Sequence, residues 1–459
     1  MSGKRQKNQY QLALFGEGRG EAPMASDVGT EPVAAERGHE RQVSVGLMEA
    51  VVAGGNVKTA LQRVRANKGA PGVDGMRVTQ LPKYLKKHWS ELREQLLSGC
   101  YQPQPVRRVE IPKPGGGVRQ LGIPTALDRF VQQALLQVLQ AQWDGSFSEH
   151  SYGFRPGRSA HQAVAQAQEY IGAGRRWVVD IDLEKFFDRV NHDVLMGRVA
   201  KRVADKRVLK LVRSFLNCGV LADGLVNPTA EGTPQGGPLS PLLSNLLLDD
   251  LDRELERRGL NFVRYADDCN IYVRSRRAGE RVMTSVTGFL TGKLKLKVNA
   301  QKSAVDRPWK RKFLGFSFTN HHQPKRRIAP QSVQRFKARV RELTSRNQGR
   351  SMDRVVTELS RYLTGWLGYF GFCQTASVLA ELEEWLRRRL RCLQWKQWKR
   401  GRRRYQELTS RGVSSDEARQ TAGSARSLWR LSRTKALHIA LPNDYFTSVG
   451  LPKLVIRTS

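Results

Sequence analysis

The spacing of hydrophobic and polar residues predicts a β-hairpin near position 265. Two short runs of aromatic and β-branched residues, 262–265 and 271–273, flank the adjacent carboxylates Asp267 and Asp268. Because Asp favours turns, the two acids fall where the chain reverses. The pattern therefore predicts two strands with a pair of carboxylates at their common tip.

A second acidic strand is predicted within 177–188. Alternation with a period of two places Val179 and Ile181 on one face, and Asp180 and Asp182 on the other. Acids in such an apolar strand need a cation or hydrogen bonds. Periodicity alone does not choose between these two acids.

Glycines mark a strand–turn–strand pattern over 109–124. Its glycine-rich tip is flanked by Lys113 and Arg119. Such a tip is able to fold over a triphosphate, with Arg as a charge-assisted fork and Lys as a point charge. A solvated basic hairpin is the alternative. Helical spacing of apolar residues predicts helices at 51–65, 242–251, 279–293, 332–346, 353–370 and 377–400.

Composition narrows the class of partner. The 459 residues are enough for two or three domains, and 78 Lys and Arg against 42 Asp and Glu give a net charge of +36, which favours nucleic acid. No apolar run approaches the roughly 18 residues that span a membrane. The apolar run at residues 12–15 is too short to be the hydrophobic segment of a signal peptide. Scattered cysteines without C-x-x-C predict a reducing, cytoplasmic location and argue against a zinc site. Residues 1–45 lack apolar periodicity and are predicted to be a disordered extension.

The paired acids are the strongest candidate for chemistry. Adjacent carboxylates in a very basic protein are costly unless a cation neutralises them, and hard oxygen ligands favour Mg²⁺. A pair of such ions about 4 Å apart is the usual arrangement for phosphoryl transfer. A solvated polar turn is the alternative.

The loop 151–159 is a candidate nucleic-acid contact. Its sequence, SYGFRPGRS, mixes aromatic residues with Arg155 and Arg158. Such a loop is able to stack on and clamp a nucleic-acid backbone, and an ordinary loop is the alternative.

The helix predicted at 377–400 interleaves cations with Trp385, Trp395 and Trp398. Cations that release counterions, together with rings that stack, predict an RNA-binding helix. A solvated face above core tryptophans is the alternative. The candidate RNA contacts are Arg387, Arg388, Arg391, Lys396, Lys399 and Arg400.

The order of these motifs resembles the reverse transcriptases encoded by bacterial group II introns. It runs through the glycine-tipped hairpin, GFRPGRS, the acidic strand, the loop TPQGGPLSP at 233–241, the YADD hairpin, N-x-x-K-S at 299–303 and FLGFSF at 313–318. The resemblance implies an α+β right-hand polymerase, with fingers and palm built on antiparallel sheet over 46–320. It also implies an α-helical thumb, or maturase domain, over 321–405. A small, basic, helical, DNA-binding-like tail would follow over 406–459, with little core of its own.

The resemblance also implies a role for individual residues. Asp267 and Asp268 match the paired catalytic acids. Asp182 matches the third acid, because Phe187 stands five residues later, where the family's sugar-gating aromatic stands. These acids would hold two Mg²⁺ ions. The remaining matches are Lys113 and Arg119 on the triphosphate, Gln235 beside the incoming nucleotide, Lys302 on the leaving pyrophosphate and 313–318 at the primer end.

The function implied by the resemblance is RNA-directed DNA synthesis by two-Mg²⁺ nucleotidyl transfer, with binding of the intron RNA to assist splicing and mobility. The implied partners are group II intron RNA, an RNA template, a DNA primer or target DNA, and dNTPs, with no membrane. Two alternatives stay open: an RNA-binding splicing cofactor without a significant polymerase role, and a host-recruited reverse transcriptase in repair or defence. Many family members end in a zinc-stabilised endonuclease, but no Cys/His cluster follows Cys392, so endonuclease activity is not expected.

Overall fold

The structure, a computed structural model, describes residues 46–112, 118–222, 225–227, 232 and 236–455. These residues fall into two compact units, one ending at Arg307 and the other beginning at Pro308. Strands form two four-stranded sheets in the first unit, whereas helices dominate the second.

The strands of the first unit are β1 (Val106–Pro112), β2 (Val118–Ile123), β3 (Trp177–Ile181), β4 (Val220–Ala222), β5 (Leu225–Asn227), β6 (Asn261–Tyr265), β7 (Asp268–Val273) and β8 (Ala304–Asp306). One sheet has the order β2–β1–β4–β5 and is mixed, because β1 runs antiparallel to β2 but parallel to β4. The other, which we call the central sheet, has the order β6–β7–β3–β8 and is antiparallel throughout. Both predicted hairpins are confirmed, as β1–β2 and as β6–β7.

The helices of the first unit are α1 (Leu47–Val51), α2 (Gly54–Ala66), α3 (Leu81–Leu97), α4 (Ala126–Trp143), α5 (Ala160–Gly172), α6 (His192–Arg202), α7 (Lys206–Asn217), α8 (Ser240–Arg257) and α9 (Arg276–Lys293). Of these, α5, α8 and α9 pack on the central sheet. The leucines of α8 are buried, as the apolar run in the sequence predicts. Helix α9 approaches so closely that a Cβ on Gly279 would overlap the side chain of Val305 in β8. The central sheet is therefore tightly packed against α9 at this point.

The second unit contains a two-stranded antiparallel ribbon and a set of helices. The strands are β9 (Phe316–Phe318) and β10 (Arg326–Ile328), and the helices are α10 (Pro330–Leu343), α11 (Met352–Phe370), α12 (Ala376–Gln397), α13 (Gly401–Ser410), α14 (Ser415–Ala422), α15 (Leu428–Leu431), α16 (Lys435–Ala440) and α17 (Asn443–Ser448). The strand expected from position 313 starts only at Phe316, because Leu314 and Gly315 have left-handed backbone, with φ of 49° and 84°.

The C-terminal tail, expected to have little core of its own, packs onto α12. Leu437, Leu441 and Phe446 are fully buried. Glu383 of α12 accepts hydrogen bonds from the backbone nitrogens of Leu454 and Val455, both at 2.9 Å. The tail, up to residue 455, is thus packed into the second unit, which its basic composition concealed.

The length and apolarity of the helices bear on the membrane question. Among the residues that the structure describes, no helix is both long enough and apolar enough to cross a bilayer.

Candidate active site

The β6–β7 turn presents the two adjacent acids as the sequence predicts. The last pair of the hairpin is Tyr265 with Asp268, so Ala266 and Asp267 form the turn itself. Ala266 has a φ of 57°, a left-handed conformation that tightens the reversal. Asp267 is half-buried at the tip and Asp268 is exposed at the start of β7.

Strand register brings the third acid to the same place. Strands β3 and β7 pair up to Ile181 with Cys269, and one further step sets Asp182 opposite Asp268. Directly opposed residues of an antiparallel pair point to one face, with Cα atoms about 5 Å apart. Asp182, Asp267 and Asp268 therefore converge at one end of the central sheet.

Asp180 occupies a different environment, although alternation alone could not separate it from Asp182. It pairs with Asn270 inside the sheet, and the Asn270 amide nitrogen, facing it, donates to Oδ1 of Asp180 at 3.0 Å. Asp182 instead lies just beyond the strand end. The geometry thus favours Asp182 as the third acid.

The donor set at this sheet end fits a hard divalent cation. Carboxylate oxygens are the ligands that Mg²⁺ prefers, and register places three carboxylate side chains at this end of the sheet. In the part of the chain that the structure describes, no group of three His, Cys, Asp or Glu side chains is closed around a metal-sized space. The site is therefore defined by backbone register and by the chemistry of its donors.

Lys302 lies where the N-x-x-K-S motif predicts a cation. Its Nζ is 3.5 Å from Oδ2 of Asp182. The segment is fastened to Asp182 by backbone and side-chain hydrogen bonds. The backbone amide of Asn299 donates to the Asp182 carbonyl at 2.8 Å, and the backbone amide of Asp182 donates to Oγ of Ser303 at 3.0 Å. The motif's Asn and Ser thus hold the Lys beside the acid.

Phe187 differs from its neighbour in exposure. Both rings lie on a single 3₁₀ turn, Phe186–Asp188, with their centroids 5.2 Å apart. Phe186 is buried in the core, whereas Phe187 is only half-buried. Phe187 is therefore the ring that remains available to a ligand.

Arg264 is a supporting residue that the sequence reasoning missed. It is fully buried, and its Nε and Nη2 donate to Asp252 of α8 at 2.7 and 2.6 Å. Its Nη1 donates to the carbonyl of Ala266 in the acidic turn at 2.9 Å and to Oδ1 of Asn245 at 3.0 Å, and its Nη2 donates to Oγ of Ser151 at 2.7 Å. Burial alone would lower the pKa of Arg264, but the Asp252 carboxylate more than offsets this and the pKa is raised. A charged residue within an apolar strand was the available signal.

The loop 151–159 also supports the turn. The Tyr152 amide donates to the Arg264 carbonyl at 2.9 Å, and Nδ2 of Asn245 donates to the Gly153 carbonyl at 2.8 Å. A Cβ on Gly153 would overlap the backbone nitrogen of Ala266, so only glycine allows this approach. The loop is thus fixed against the acidic turn.

Arg155 was predicted to contact nucleic acid, but its guanidinium is engaged inside the protein. It is buried, and its guanidinium donates to the Asp144 carboxylate at 2.9 Å and to the carbonyls of Ser148 and Ser151 at 2.6 and 3.0 Å. The prediction is therefore wrong for Arg155, because its donors are used inside the protein. Arg158 is half-buried and lies over the Tyr152 ring, and its nucleic-acid role stays a prediction.

Three of the residues predicted to bind the nucleotide lie wholly or partly outside the part of the chain that the structure describes. Lys113 and Gln235 lie outside the described residues. The backbone of Arg119 lies in β2 opposite Ile111, but its side chain is outside the description. Their roles stay predictions.

The cations of α12 divide into two sets. Arg391 is buried and donates to the Leu441 carbonyl and to Oδ1 of Asn443, both at 2.9 Å, so RNA contact is the wrong prediction for it. Arg387 pairs with Glu383, and Arg388 stacks 3.8 Å from the Trp429 ring centroid and donates to the Trp429 carbonyl. Contacts within the second unit thus use these three cations.

Lys396 in the last turn of α12 and Lys399 and Arg400 just beyond it are exposed, and they stay candidates for RNA contact. Nζ of Lys396 donates to Oδ1 of Asn347 at 2.9 Å. Trp395 and Trp398 are buried with their ring centroids 5.7 Å apart, so they do not stack on RNA. The alternative of core tryptophans is correct for this pair.

Two family models match the chain. One, described as reverse transcriptase (RNA-dependent DNA polymerase), matches residues 111–318. The other, described as group II intron, maturase-specific domain, matches residues 333–412. The three acids fall within the first match, and the exposed cations of α12 fall within the second.

Curated relatives agree with these matches. Protein YkfC of Escherichia coli (strain K12) is 38% identical over 280 residues, covering 52% of this chain and 74% of that protein. Group II intron-encoded protein LtrA of Lactococcus lactis subsp. cremoris is 35% identical over 206 residues, covering 45% of this chain and 34% of that protein. The putative COX1/OXI3 intron 1 protein of Saccharomyces cerevisiae is 32% identical over 205 residues, covering 43% of this chain and 24% of that protein. The chain thus spans most of YkfC but about a third or less of the two intron proteins.

Proposed function

The chain belongs to the family of group II intron-encoded reverse transcriptases, RNA-directed DNA polymerases joined to a maturase domain, and on that premise we propose which of its residues carry the reaction. The central sheet is the palm, and Asp182, Asp267 and Asp268 are its catalytic acids. The observation that carries this assignment is the strand register that sets Asp182 opposite Asp268 beside the Asp267 turn. The test is primer extension on an RNA template with dNTPs and Mg²⁺.

Reverse transcriptases use divalent metal ions, and we assign two Mg²⁺ to the three acids. Bound there, the ions would activate the primer 3′-oxygen and neutralise charge on the phosphates. The protein's own work is positioning, because phosphoryl transfer asks little covalent chemistry of it.

The remaining polar residues handle the triphosphate. Lys302, held beside Asp182, lies where it can neutralise or protonate the departing pyrophosphate. Lys113 and Arg119 would bind the phosphates of the incoming dNTP, and Gln235 would lie beside that nucleotide. The substrates are thus a DNA primer, an RNA template and dNTPs.

Replacing Phe187 by Ala is expected to admit ribonucleotides. The half-buried ring would clash with a 2′-hydroxyl, and its removal opens that space, so incorporation of rNTP relative to dNTP should rise at least about tenfold. Single-nucleotide extension with matched rNTP and dNTP measures the ratio. The buried neighbour provides the control: Phe186→Ala should lower stability without changing the ratio. Unchanged discrimination in Phe187→Ala would move the gate elsewhere.

Intron RNA is the proposed partner of the second unit, as the maturase-domain match supports. Lys396, Lys399 and Arg400 would bind RNA phosphates, since they are the exposed candidates. Removal of one phosphate-binding cation should flatten the slope of log affinity against log salt by about 0.7–0.9.

A pair of double variants tests this RNA interface. Lys396→Gln/Lys399→Gln is expected to flatten the salt dependence of intron RNA binding. Arg354→Gln/Lys435→Gln removes the same charge from cations that pair with Glu358 and Glu417, and is expected to change the slope less. Equal slopes for the two double variants would remove α12 from the RNA interface.

Splicing assistance is the second candidate function, and it is compatible with polymerisation in one protein. The match to a maturase-specific domain is the observation that favours it. Splicing of the intron RNA at low Mg²⁺ by an Asp267→Asn protein would show that binding serves splicing without DNA synthesis. A polymerase recruited by its host instead predicts no intron ribozyme around the reading frame.

A further inference from the structure

Phe154 is held in an unfavourable conformation with its ring in solvent. Its φ is 59°, in the left-handed region that bulky residues avoid, and the residue is 48% exposed. A glycine would adopt this backbone conformation without strain, and a polar side chain would be exposed at little cost. Phenylalanine pays both costs in free energy. Such strain in a rigid setting is characteristic of ligand-contacting residues.

The ring lies beside the acidic turn. Its centroid is 6.4 Å from that of Tyr265, and the preceding residue, Gly153, packs directly on the backbone of Ala266. The Gly153 carbonyl is tied to Asn245 of α8 at 2.8 Å. The position of Phe154 is therefore fixed relative to the catalytic acids by backbone contacts.

A row of side chains crosses the end of the central sheet. Tyr265 is paired with Asp268, Asp268 lies opposite Asp182 by register, and Asp182 contacts Lys302. Paired residues of an antiparallel sheet share a face, so Tyr265, Asp268 and Asp182 lie along one face in that order. Lys302 follows Asp182 through their ion pair. The loop that carries Phe154 bridges to β6 from Ser151 to Arg264, and β6 is the edge strand of the sheet, so Phe154 extends the row beyond β6, at the end opposite Lys302.

The geometry of the reaction shows which end of this row faces the leaving group and which end faces the primer. The attacking and leaving oxygens of a phosphoryl transfer are roughly in line on opposite sides of the phosphorus. If Lys302 stands on the pyrophosphate side, the primer 3′-end lies on the side of Tyr265 and Phe154. We propose that Phe154, with Tyr265, forms an aromatic platform on which the 3′-terminal nucleotide of the primer lies.

This proposal rests on the proposed polymerase function and adds a binding contact for one strand. Stacking of a base on an aromatic ring is sequence-tolerant, as a general polymerase requires. The platform predicts that removal of the ring weakens binding of a primer–template duplex about tenfold and leaves binding of intron RNA alone unchanged.

The test uses the full chain with a dideoxy-terminated primer that carries 2-aminopurine at its 3′ end, annealed to an RNA template. Duplex affinity and probe fluorescence are measured for wild type, Phe154→Tyr, Phe154→Ala and Phe154→Gly. Wild type and Phe154→Tyr are expected to alter the fluorescence, whereas Phe154→Ala and Phe154→Gly are expected to abolish that change and to bind about tenfold more weakly. Phe154→Gly relieves the backbone strain, so the absence of its signal is not attributable to misfolding.

Two controls make the result decisive. Tyr84→Ala removes another exposed ring of the same unit, 37% exposed on α3, and is expected to behave as wild type. When 2-aminopurine is placed in the template instead of the primer, its fluorescence is expected to be the same for every residue at position 154. A response of the template probe alone, or unchanged primer affinity in both Phe154→Ala and Phe154→Gly, would overturn the platform. Failure of the wild type to extend the same primer carrying a free 3′-hydroxyl, with the signal of the dideoxy-terminated primer intact, would overturn the polymerase assignment instead.

Discussion

Replacing Asp267 by Asn is expected to abolish primer extension and to leave RNA affinity unchanged. Asn has nearly the same shape, and Asp267 lies half-buried in the turn, so the fold should survive. The substitution removes a negative charge from the donor set that faces Asp182 and Asp268. Because bound metal supplies several kcal/mol of charge stabilisation, the rate should fall by at least about a thousandfold.

Comparison of four carboxylates sharpens this experiment. Asp182→Asn should match Asp267→Asn, whereas Asp180→Asn should retain more activity because Asp180 accepts a hydrogen bond from Asn270 within the sheet. Asp193→Asn, which removes a carboxylate that is 83% exposed and paired with Arg213, should behave as wild type. Wild-type extension by Asp267→Asn would refute the metal assignment. Inactivity of the wild type, with salt-sensitive RNA binding intact, would favour a splicing cofactor.

Local patterns were enough to predict the elements that carry the acids. Alternation and turn preference act over a few residues, so the β6–β7 hairpin and β3 follow from the sequence. Alternation left Asp180 and Asp182 equivalent, because both point to one face. Register with β7, a long-range property, separates them by giving Asp180 the partner Asn270.

Burial of charged and aromatic residues could not be predicted in the same way. Arg155 and Arg391 have the same sequence signature as exposed RNA-binding cations, but their partners lie in other elements of their own units. Trp395 and Trp398 likewise alternate with cations on α12, yet they face the core. The buried face of a helix depends on the segment that packs against it. The tail that covers α12 is basic in composition, which predicts a solvated segment, so its packing on α12 could not be predicted.

Replacing Arg264 by Met is expected to lower the free energy of unfolding by about 3–5 kcal/mol, because it leaves Asp252 buried and unpaired. Denaturant titration of the variant against wild type measures the decrease.

The double variant Arg264→Met/Asp252→Leu separates stability from positioning. Removal of both charges should recover most of the stability, since no ion is then stranded in the core. The Ala266 carbonyl would still lack its donor, so the acidic turn is held less firmly. The double variant should therefore be folded but slower in extension at saturating primer and dNTP. If it is as unstable as Arg264→Met, the unpaired Asp252 is not the source of the destabilisation. If it is stable and extends at the wild-type rate, Arg264 stabilises the core without positioning the acids.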